Sequence, residues 1–471
     1  MSAQLALLIG YSAVLIVLGV WIGRRVESAR QFFVAERQLG PFLLFATILA
    51  ANIGAGTTMG AASLGYRDGI SAWWWVGSAG LGTLLMAYSI GPRIWRQARD
   101  HDLRTVGDYL EWRYGPSVRC VTAALLWVAS LTALSAQLVA VAFVLNVVAG
   151  VPAAVGCVLG GVVVTAYFTA GGLLTSAWVN LVQLVVLGVG FALALPIAMA
   201  AVGGWQAIVE AAPVGNADFF NWTQGGASGW HYLVLLVPPF MVSPGLLQKV
   251  YGARSERVVR LGVGASALGL LLFAAVPPLF GMMARVYDPT LTGTAVNMAL
   301  PVVLTVGLPL AIGTLGLAAV FSAEVSSADA VLFMLSTSLS EDLYRRFLAP
   351  DAGEQRVLKV ARLGAAAGGI LATLLAMALG SVIESITIFY SLLSMSLFVP
   401  IVGGVYWARA GSRDAIAAIV VGVGVFVIAR YVLDIPATGL WNPNFVGLLA
   451  SAVAFASSVW LTTDRGSRVP N

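Results

Sequence analysis

The chain has 471 residues, of which 59% are hydrophobic and 10% are charged, with a net charge of +5 and a mean hydropathy of +0.90. Soluble domains carry about 25% charged residues, so this composition excludes an ordinary soluble protein and predicts one that crosses a membrane many times. The two cysteines, Cys120 and Cys157, lack metal-ligand spacing and are expected to be free thiols. With only His101 and His231 available, a histidine proton relay through the bilayer is also excluded.

Apolar stretches long enough to cross a bilayer, about 20 residues each, recur along the whole chain. They predict an all-α membrane protein of thirteen segments, near residues 4–23, 41–64, 70–92, 120–149, 152–170, 175–202, 230–252, 258–285, 303–340, 358–382, 385–408, 413–433 and 441–463.

The basic residues indicate how these segments are oriented, because cytoplasmic loops collect Lys and Arg. With an external N-terminus, all of the 26 Lys and Arg residues except Arg67, Arg285 and Arg430 fall on the internal side. The sequence therefore predicts a plasma (inner) membrane protein with its N-terminus outside and its C-terminus in the cytoplasm. The positive charge reflects this topology and contact with the lipid bilayer, with no footprint of nucleic-acid binding. We expect a monomer.

The second segment contains the stretch AANIGAGTTMG, residues 50–60, which places polar residues and glycines in the middle of an apolar run. Unwound backbone survives at membrane depth only where protein or a water-lined cavity receives its polar groups. The stretch thus predicts a broken helix at a binding site. The alternative is a continuous helix in which small residues, from Gly54 to Gly60, form a packing face.

A second interruption, VPPFMVSPG at residues 237–245, favours the broken-helix interpretation. It places Pro238, Pro239 and Pro244 inside the seventh segment, and proline removes a backbone donor and disrupts the preceding turn. The two interruptions lie five segments apart, at matching positions of two successive five-helix units. That pattern is typical of secondary transporters built from inverted repeats, in which freed carbonyls bind a cation and half-helix ends orient a solute.

Short motifs in a fixed order resemble those of the sodium/solute symporter family, whose members include sodium-coupled proline, galactose, sialic acid and pantothenate transporters. They cover most of the chain and comprise FFVAERQLG (32–40), AANIGAG (50–56), TVGDYLEWRYG (105–115), YFTAGGLLTSAWVNLVQ (167–183), SPGLLQKVYGARS (243–255), SSADAVLFMLSTSLSEDLY (326–344) and VPIVGGVYWARAGSRDA (399–415).

The resemblance implies about thirteen helices around a core of the leucine-transporter type. Residues 41–202 and 230–409 would form two inverted five-helix repeats, joined by an external loop at 203–229. Residues 1–40 would add an N-terminal helix and the first internal loop, and residues 410–471 would add two further helices and a short tail.

The resemblance also implies a sodium site between the second and ninth segments. Carried over by position, its ligands would be the backbone carbonyls of Ala50, Ile53 and Ala323 and the hydroxyls of Ser326 and Ser327. Helical spacing agrees, because residues three and four apart share a face and Ala323 therefore lies one turn from both serines. The alternative role of the serines is helix packing with hydrogen bonds to the preceding turn.

Two acids of the ninth segment need separate interpretation, because an ionised carboxylate at bilayer depth costs roughly 2.5 to 3.5 kcal/mol on insertion scales. Asp329 fits the pattern of the family and is predicted to be an internal hydrogen-bonding anchor. Glu324 departs from the family, which mostly has a small or apolar residue there. It could add charge near the cation or carry a proton, but pairing with a basic residue at the membrane edge is preferred.

A departure in the sixth segment bears on the number of sodium ions. Members that use a second sodium carry Thr-Asp followed by Gln, where this chain has Val179, Asn180 and Gln183. Loss of the carboxylate weakens a second cation site, so a single coupled sodium is predicted.

Solute-binding residues are predicted by position in the interrupted helices and those that face them: Asn52, Gly54, Thr57, Gln137, Ser243, Tyr390 and Ser394. Trp73, Trp74 and Trp75 open the third segment and form either an interfacial belt or a gate. No basic residue is placed in the membrane core, which disfavours a highly charged solute. A small neutral, zwitterionic or monocarboxylate solute fits, because sodium and a helix dipole can accept one carboxylate.

These features predict a sodium-coupled symporter that imports a small polar organic solute, such as an amino acid or a monocarboxylate, by alternating access. The nearest alternative is a proton-coupled transporter of the same fold that uses Glu324. An intramembrane enzyme is disfavoured, because no nucleophile motif or intramembrane metal cluster is found. A membrane sensor is disfavoured because the chain stops a few residues after its last helix.

Overall fold

The computed structural model describes residues 3–23, 37–168, 172–213, 215, 217–223, 229–439 and 441–463. These residues fold into α-helices, which in chain order are α1 (Ala3–Gly23), α2 (Pro41–Asn52), α3 (Ala61–Asp68), α4 (Trp73–Tyr88), α5 (Ile90–Asp100), α6 (Val106–Tyr114), α7 (Pro116–Ala149), α8 (Ala153–Phe168), α9 (Gly172–Ala201), α10 (Gly204–Glu210), α11 (Gly229–Val242), α12 (Pro244–Tyr251), α13 (Glu256–Phe273), α14 (Val276–Tyr287), α15 (Ala299–Val306), α16 (Leu310–Thr337), α17 (Glu354–Leu379), α18 (Val382–Leu393), α19 (Val399–Tyr406), α20 (Ser412–Val427) and α21 (Pro443–Thr463). π-Helical turns adjoin several of them, at Gly56–Gly60, Ser338–Leu348, Ser394–Phe398 and Ile428–Val432.

The all-helical membrane fold predicted from composition is confirmed. Nine helices in the described ranges are long and apolar enough to span a membrane, and the number is ten if a bent pair is counted as one span. The bent pair joins Pro41–Asn52 to the helical run Gly56–Tyr88, at an angle of 62°. The predicted count of thirteen segments stays a prediction.

The helix α16 lies at the centre of the fold. Of its most apolar stretch 94% is buried, compared with 28% for α9 and for α21. Around it lie α7 and the α11–α12 pair, each 78% buried over the same kind of stretch. The central helix is thus the one that carries the predicted serine ligands, and the peripheral helices expose apolar faces suited to lipid.

Two predicted segments are divided differently in the structure, and proline explains both differences. The ninth segment begins at Leu310 rather than near residue 303, because Pro309 precedes its first turn and the preceding residues end a separate helix, α15. The segment predicted at 258–285 consists of α13 and α14, with Pro277 and Pro278 in the first turn of α14. Proline is well tolerated in a first turn, where its missing N–H has no helical partner.

The seventh segment is interrupted, but not at its first two prolines. The helix α11 continues through Pro238 and Pro239 to Val242, and Ser243 leaves helical geometry (φ −52°, ψ 125°) before α12 begins. Ser243 precedes Pro244, and the proline ring disfavours helical geometry in the residue before it.

The start of α2 and the end of α12 lie side by side. The Leu39 N–H donates a 2.9 Å hydrogen bond to the Gly252 carbonyl, and the Arg254 N–H donates a 3.2 Å bond to the Leu39 carbonyl. Both interrupted segments are therefore joined at the same end of the molecule.

Candidate functional site

The second segment is interrupted after Asn52, as the sequence predicts. Ile53 is extended (φ −100°, ψ 102°), and helical hydrogen bonding resumes in the π-helical turn Gly56–Gly60. All residues from Asn52 to Gly60 are buried. Buried backbone N–H and C=O groups need hydrogen-bond partners, so the partners found around the break show which parts of the protein it contacts.

Side chains of neighbouring helices take up backbone groups freed by the break. The Ala55 N–H donates to Gln137 Oε1 at 2.8 Å, and the Gly56 carbonyl accepts from the indole Nε1 of Trp75 at 2.8 Å. The Gly54 N–H donates to the Thr57 hydroxyl oxygen at 2.8 Å. The break is therefore held in place by α7, by α4 and by its own threonine.

Gly54 marks the closest approach of the broken helix to α16. A Cβ at this position would lie 2.2 Å from Ser327 Oγ and 2.8 Å from Gln137 Oε1. The Gly54 carbonyl oxygen lies 3.1 Å from the Thr57 hydroxyl oxygen and 2.9 Å from the Thr58 hydroxyl oxygen. Only glycine allows the backbone to pass this close to the serine.

The hydroxyls of Ser326 and Ser327 face the end of α2. Ser326 Oγ lies 2.9 Å from the carbonyl oxygen of Ala50 and 3.0 Å from that of Ala323. Ser327 Oγ lies 3.1 Å from the carbonyl oxygen of Ala51. The contact thus gathers four of the predicted sodium ligands, and such neutral oxygens are the donors that hard cations prefer.

The remaining predicted ligand, Ile53, is less closely associated with the serines. No hydrogen bond described for residues 37–168 or 229–439 joins it to Ser326 or Ser327, and its N–H donates to the Leu49 carbonyl at 3.1 Å. Its extended backbone takes its carbonyl out of the helical hydrogen-bond ladder. Its part in a cation site stays a prediction.

A cavity adjoins the contact between α2 and α16, and Ser327 forms part of its wall. It is also lined by most of the predicted solute-binding residues: Asn52, Gly54, Thr57, Gln137, Ser243 and Tyr390. Ser394 is not among its lining residues; it begins a π-helical turn, and its buried hydroxyl has no hydrogen-bond partner among the described residues.

One side of the cavity is aromatic. Phe240, Phe389 and Tyr390 line it, with 5.2 Å between the ring centroids of Phe240 and Tyr390. The side chains that line the cavity in the described part of the chain carry no formal charge. The cavity can therefore bind an apolar body through its aromatic wall and one or two polar groups through the broken helix.

Trp75 separates this cavity from a larger one of about 710 Å³. Its indole bonds to Gly56, which lines the first cavity, and its ring packs edge-on against Tyr232, which with Trp75 lines the second. Trp75 is buried, so the interpretation of this tryptophan as part of an interfacial belt is wrong. Trp73 and Trp74 instead cluster with Trp222, with centroids 5.2 and 4.8 Å from it.

Glu324 is wholly buried, and its partner is a hydroxyl group. Thr58 Oγ1 donates to Glu324 Oε1 at 2.7 Å, whereas Glu324 Oε2 has no hydrogen-bond partner among the described residues. The preferred prediction, an ion pair with a basic residue at the membrane edge, is therefore wrong. The side chain points from the middle of α16 into the helix contact and does not reach a helix end.

Asp329 is also buried, and it interacts electrostatically with Lys249 of α12. Lys249 is one of the largest fully buried side chains, at 1% exposure. The sequence places Lys249 at the end of its segment, and the structure places it in the last turn of α12, buried within the protein.

Asn180 on α9 is buried, and its amide donates to the Thr47 hydroxyl of α2 at 3.2 Å. Gln183, one turn further along α9, is 1% exposed, and its amide has no hydrogen-bond partner among the described residues. Asn180 therefore faces α2, and both residues belong to the protein interior.

The structure contains a charged cluster that the sequence analysis did not predict. Its acidic residues come from two of the sequence motifs. Arg119 of α7 contacts the carboxylates of Asp108 at 2.8 Å, Glu111 at 2.9 Å and Asp342 at 2.7 Å, and its side chain is 7% exposed. The Thr105 hydroxyl also donates to Asp342 at 2.8 Å. The acidic residues in the motifs TVGDYLEWRYG and SLSEDLY are the sequence signal that could have indicated this cluster.

Comparison with known proteins agrees with this arrangement. The sequence profile described as Sodium:solute symporter family matches residues 32–422. The sodium/pantothenate symporter of Escherichia coli (strain K12) is 26% identical, with 95% of this chain and 94% of that protein covered. The sodium/glucose cotransporter of Vibrio parahaemolyticus is 23% identical, with 89% and 84% covered. The high-affinity choline transporter 1 of Caenorhabditis elegans is 24% identical, with 88% and 75% covered.

Solved structures establish the fold. A Na+-coupled sialic acid symporter in a substrate-bound outward-open state is similar with a TM-score of 0.81 and 20% identity, over 97% of this chain and 98% of that chain. The nucleobase-cation-symport-1 family transporter Mhp1 in a closed conformation is similar with a TM-score of 0.61 and 15% identity, over 92% and 95%. The predicted fold of the leucine-transporter type is confirmed.

Proposed function

Because the chain belongs to the sodium:solute symporter family, we propose that the contact between α2 and α16 binds the coupling sodium and that the adjoining cavity binds the solute. The chain is a multi-pass membrane transporter that couples sodium to the movement of a small organic solute. The observation that carries the site assignment is that the Ser326 hydroxyl oxygen lies 2.9 Å from the Ala50 carbonyl oxygen and 3.0 Å from the Ala323 carbonyl oxygen.

The proposed sodium ligands are the carbonyls of Ala50, Ile53 and Ala323 and the hydroxyls of Ser326 and Ser327. All are neutral oxygens, which suit a monovalent cation better than a divalent one, because a divalent site normally includes carboxylates. They come from two elements, one of them interrupted, so that a bound ion would hold α2 and α16 together. Sodium would thereby favour the arrangement that binds solute, and solute would favour sodium binding by the same factor.

The proposed solute is small and neutral, zwitterionic or a monocarboxylate, such as an amino acid. Gln137 supports a polar end at the broken helix: its Oε1 accepts from Ala55, which leaves its amide N–H groups free to donate toward the cavity. Phe240 and Tyr390 support an apolar end. The absence of formal charge among the described lining residues argues against a solute with several charges.

We propose a single coupled sodium. The support is Asn180, which has no charge to offer a second cation and whose amide is engaged with Thr47. Proton coupling through Glu324, the alternative left open by the sequence, finds no support in the relatives, which are described as sodium symporters and cotransporters. The relatives are transporters, which agrees with a function other than an enzyme.

The orientation that we propose has the N-terminus outside and the C-terminus in the cytoplasm of a monomer embedded in lipid. It rests on the distribution of basic residues along the sequence. The proposed repeats, residues 41–202 and 230–409, each begin with an interrupted helix, at Ile53 and at Ser243.

The decisive experiment is a thermal-shift screen of the detergent-purified protein against amino acids, monocarboxylates, sugars and vitamins, each in sodium and in potassium. We expect one class to raise the melting temperature in sodium only. A solute that stabilises the protein equally in both salts would contradict coupling at this site. The variant Ser326→Ala, screened alongside, should need a higher sodium concentration to show the same difference between the two salts.

A further inference from the structure

The helix α16 contacts the broken helix on both sides of its interruption. Before the break, Ser326 and Ser327 meet the carbonyls of Ala50 and Ala51. After the break, Thr58 donates a 2.7 Å hydrogen bond to Glu324. Three side chains within one turn of α16 therefore fix the two halves of the broken helix.

The contact between Thr58 and Glu324 adjoins the proposed sodium ligands. Glu324 follows Ala323 directly, and residues three apart on a helix are neighbours on its surface, so Glu324 and Ser327 share a face. The same Thr58 hydroxyl that bonds Glu324 lies 2.9 Å from the Gly54 carbonyl, and Gly54 is packed against Ser327. A short path of contacts thus leads from the carboxyl group back to the serine.

The surrounding protein also buries the contact between Thr58 and Glu324. Glu324 and Thr58 are both fully buried, and a hydrogen bond to a carboxyl group in a water-free setting is stronger than one at the surface. Thr58 lies in the π-helical turn Gly56–Gly60, where the backbone bonds are already irregular. Without this hydrogen bond, packing alone would hold the half of the broken helix that follows the break less firmly against α16.

We propose that the Thr58–Glu324 hydrogen bond positions the half of the broken helix that follows the break, and that this positioning supports sodium binding. Glu324 is then a positioning residue and does not contact the ion. This inference rests on the proposed sodium site. Its role is geometric: the bond keeps the Gly54 backbone against Ser327, so that the serine hydroxyl and the carbonyls at the end of α2 stay within reach of one cation.

The test compares variants that keep the bond with variants that remove it. Thr58→Val and Glu324→Ala remove it, whereas Thr58→Ser keeps the donor and Glu324→Gln keeps a carbonyl acceptor. Ser322→Ala is the matched control, because Ser322 lies on the same helix and bonds to Tyr11, 2.6 Å away, outside the site. Sodium titrations of thermal stability in detergent give the half-saturating concentration without relying on transport, and uptake into proteoliposomes gives the solute KM.

We expect Thr58→Val and Glu324→Ala to raise the half-saturating sodium concentration about tenfold, as loss of one buried hydrogen bond can. Thr58→Ser, Glu324→Gln and Ser322→Ala should stay within about threefold of the unmodified protein. The double variant Thr58→Val/Glu324→Ala should be no worse than either single variant, because both remove the same bond. The solute KM at saturating sodium should be unchanged.

Three results would overturn the inference. Unchanged sodium titration in Thr58→Val, while Ser326→Ala shifts it, would show that the bond has no role but leave the proposed function intact. A loss in Glu324→Gln equal to that in Glu324→Ala would show that charge matters and the bond does not. A shift in Ser322→Ala as large as that in Thr58→Val would indicate general loosening of α16. If the unmodified protein shows no sodium response, the proposed function itself fails.

Discussion

The Ser326 hydroxyl lies 2.9 Å from the carbonyl oxygen of Ala50, across the contact between α16 and the end of α2. The two residues are 276 positions apart in the chain, and the hydroxyl also lies 3.0 Å from Ala323 on its own helix. The Ser326 hydroxyl therefore contacts α2 and α16 at once, and it can do so only while the two helices are packed against each other. A cation that shares these oxygens would bind only when the broken helix and α16 are in contact.

Ser326→Ala and Ser327→Ala should each raise the sodium concentration for half-maximal uptake by about tenfold. The reason is the loss of one oxygen ligand, and a change of about 1.4 kcal/mol in binding is a factor of ten. Sodium-dependent uptake into proteoliposomes measures the effect. Ser340→Ala is the matched control, because Ser340 is equally buried and its hydroxyl donates to the Ser336 carbonyl of its own preceding turn.

Unchanged sodium dependence in both serine variants would remove the assignment of the site to this contact. A shift of the same size in Ser340→Ala would show that any buried serine in this region has such an effect. The two results are distinguishable from loss of folding, because thermal stability in potassium should be close to that of the unmodified protein in all three variants.

The interruption of the second segment could be predicted because its cause is local. Asn52, Gly54 and Thr57 lie within six positions of one another, and such a concentration of polar residues and glycine is unusual in the middle of an apolar membrane helix. The same local signal led to the proposal that these three residues bind the solute. All three line the cavity.

What could not be predicted depends on contacts between distant segments. Thr58 and Glu324 are 266 positions apart, and neither residue type indicates its partner. Lys249 lies in the last turn of α12, close to a run of basic residues in the sequence, yet it is fully buried and interacts electrostatically with Asp329 of α16. Such placements follow from packing of the helices and leave no periodic signal in the chain.

Gly54→Ala should abolish the sodium response and solute binding together. The added Cβ would lie 2.2 Å from Ser327 Oγ and 2.8 Å from Gln137 Oε1, so either the broken helix or α16 must move away from the contact. Thermal shift in sodium and potassium, with and without the identified solute, measures both losses. Gly188→Ala is the matched control, since a Cβ on Gly188 of α9 would have no atom within 4 Å.

A Gly54→Ala protein that retains a normal sodium titration would contradict the close approach described here. Overpacking of this kind costs about 1–3 kcal/mol, so a folded but unresponsive protein is the expected outcome. If Gly188→Ala is equally impaired, the effect belongs to glycine replacement in a membrane helix and not to the site.

Arg119→Ala should destabilise the protein more than any surface arginine variant. Removal of Arg119 leaves the buried Asp342, together with Asp108, without its cation, whereas Glu111 keeps its contact with Arg346, and breaking a buried pair costs about 3–5 kcal/mol. The melting temperature in detergent measures the loss. Arg260→Ala is the control: Arg260 pairs with Glu256 at 52% exposure, where such pairs contribute about 0–1 kcal/mol. Equal melting temperatures for the two variants would contradict a stabilising role for the Arg119 cluster.

The number of sodium ions can be tested at Asn180. With a neutral amide at this position, we expect close to one sodium ion to be transported with each solute molecule, measured as the ratio of sodium and solute fluxes in proteoliposomes. Asn180→Asp would place a carboxylate next to Thr47 on α2, and buried carboxylates attract cations strongly in a low-dielectric interior. The sodium dependence of this variant should become steeper, with a Hill coefficient above one.

Asn146→Asp controls for the change of an amide to an acid elsewhere, because Asn146 lies near the end of α7 and donates to the Val151 carbonyl, away from α2. Its sodium dependence should match that of the unmodified protein. A flux ratio of two in the unmodified protein would refute the single-sodium proposal while leaving the Ser326 site in place. In that case the second ion must be bound by neutral oxygens or by Asp329, the buried acid on α16 that interacts with Lys249.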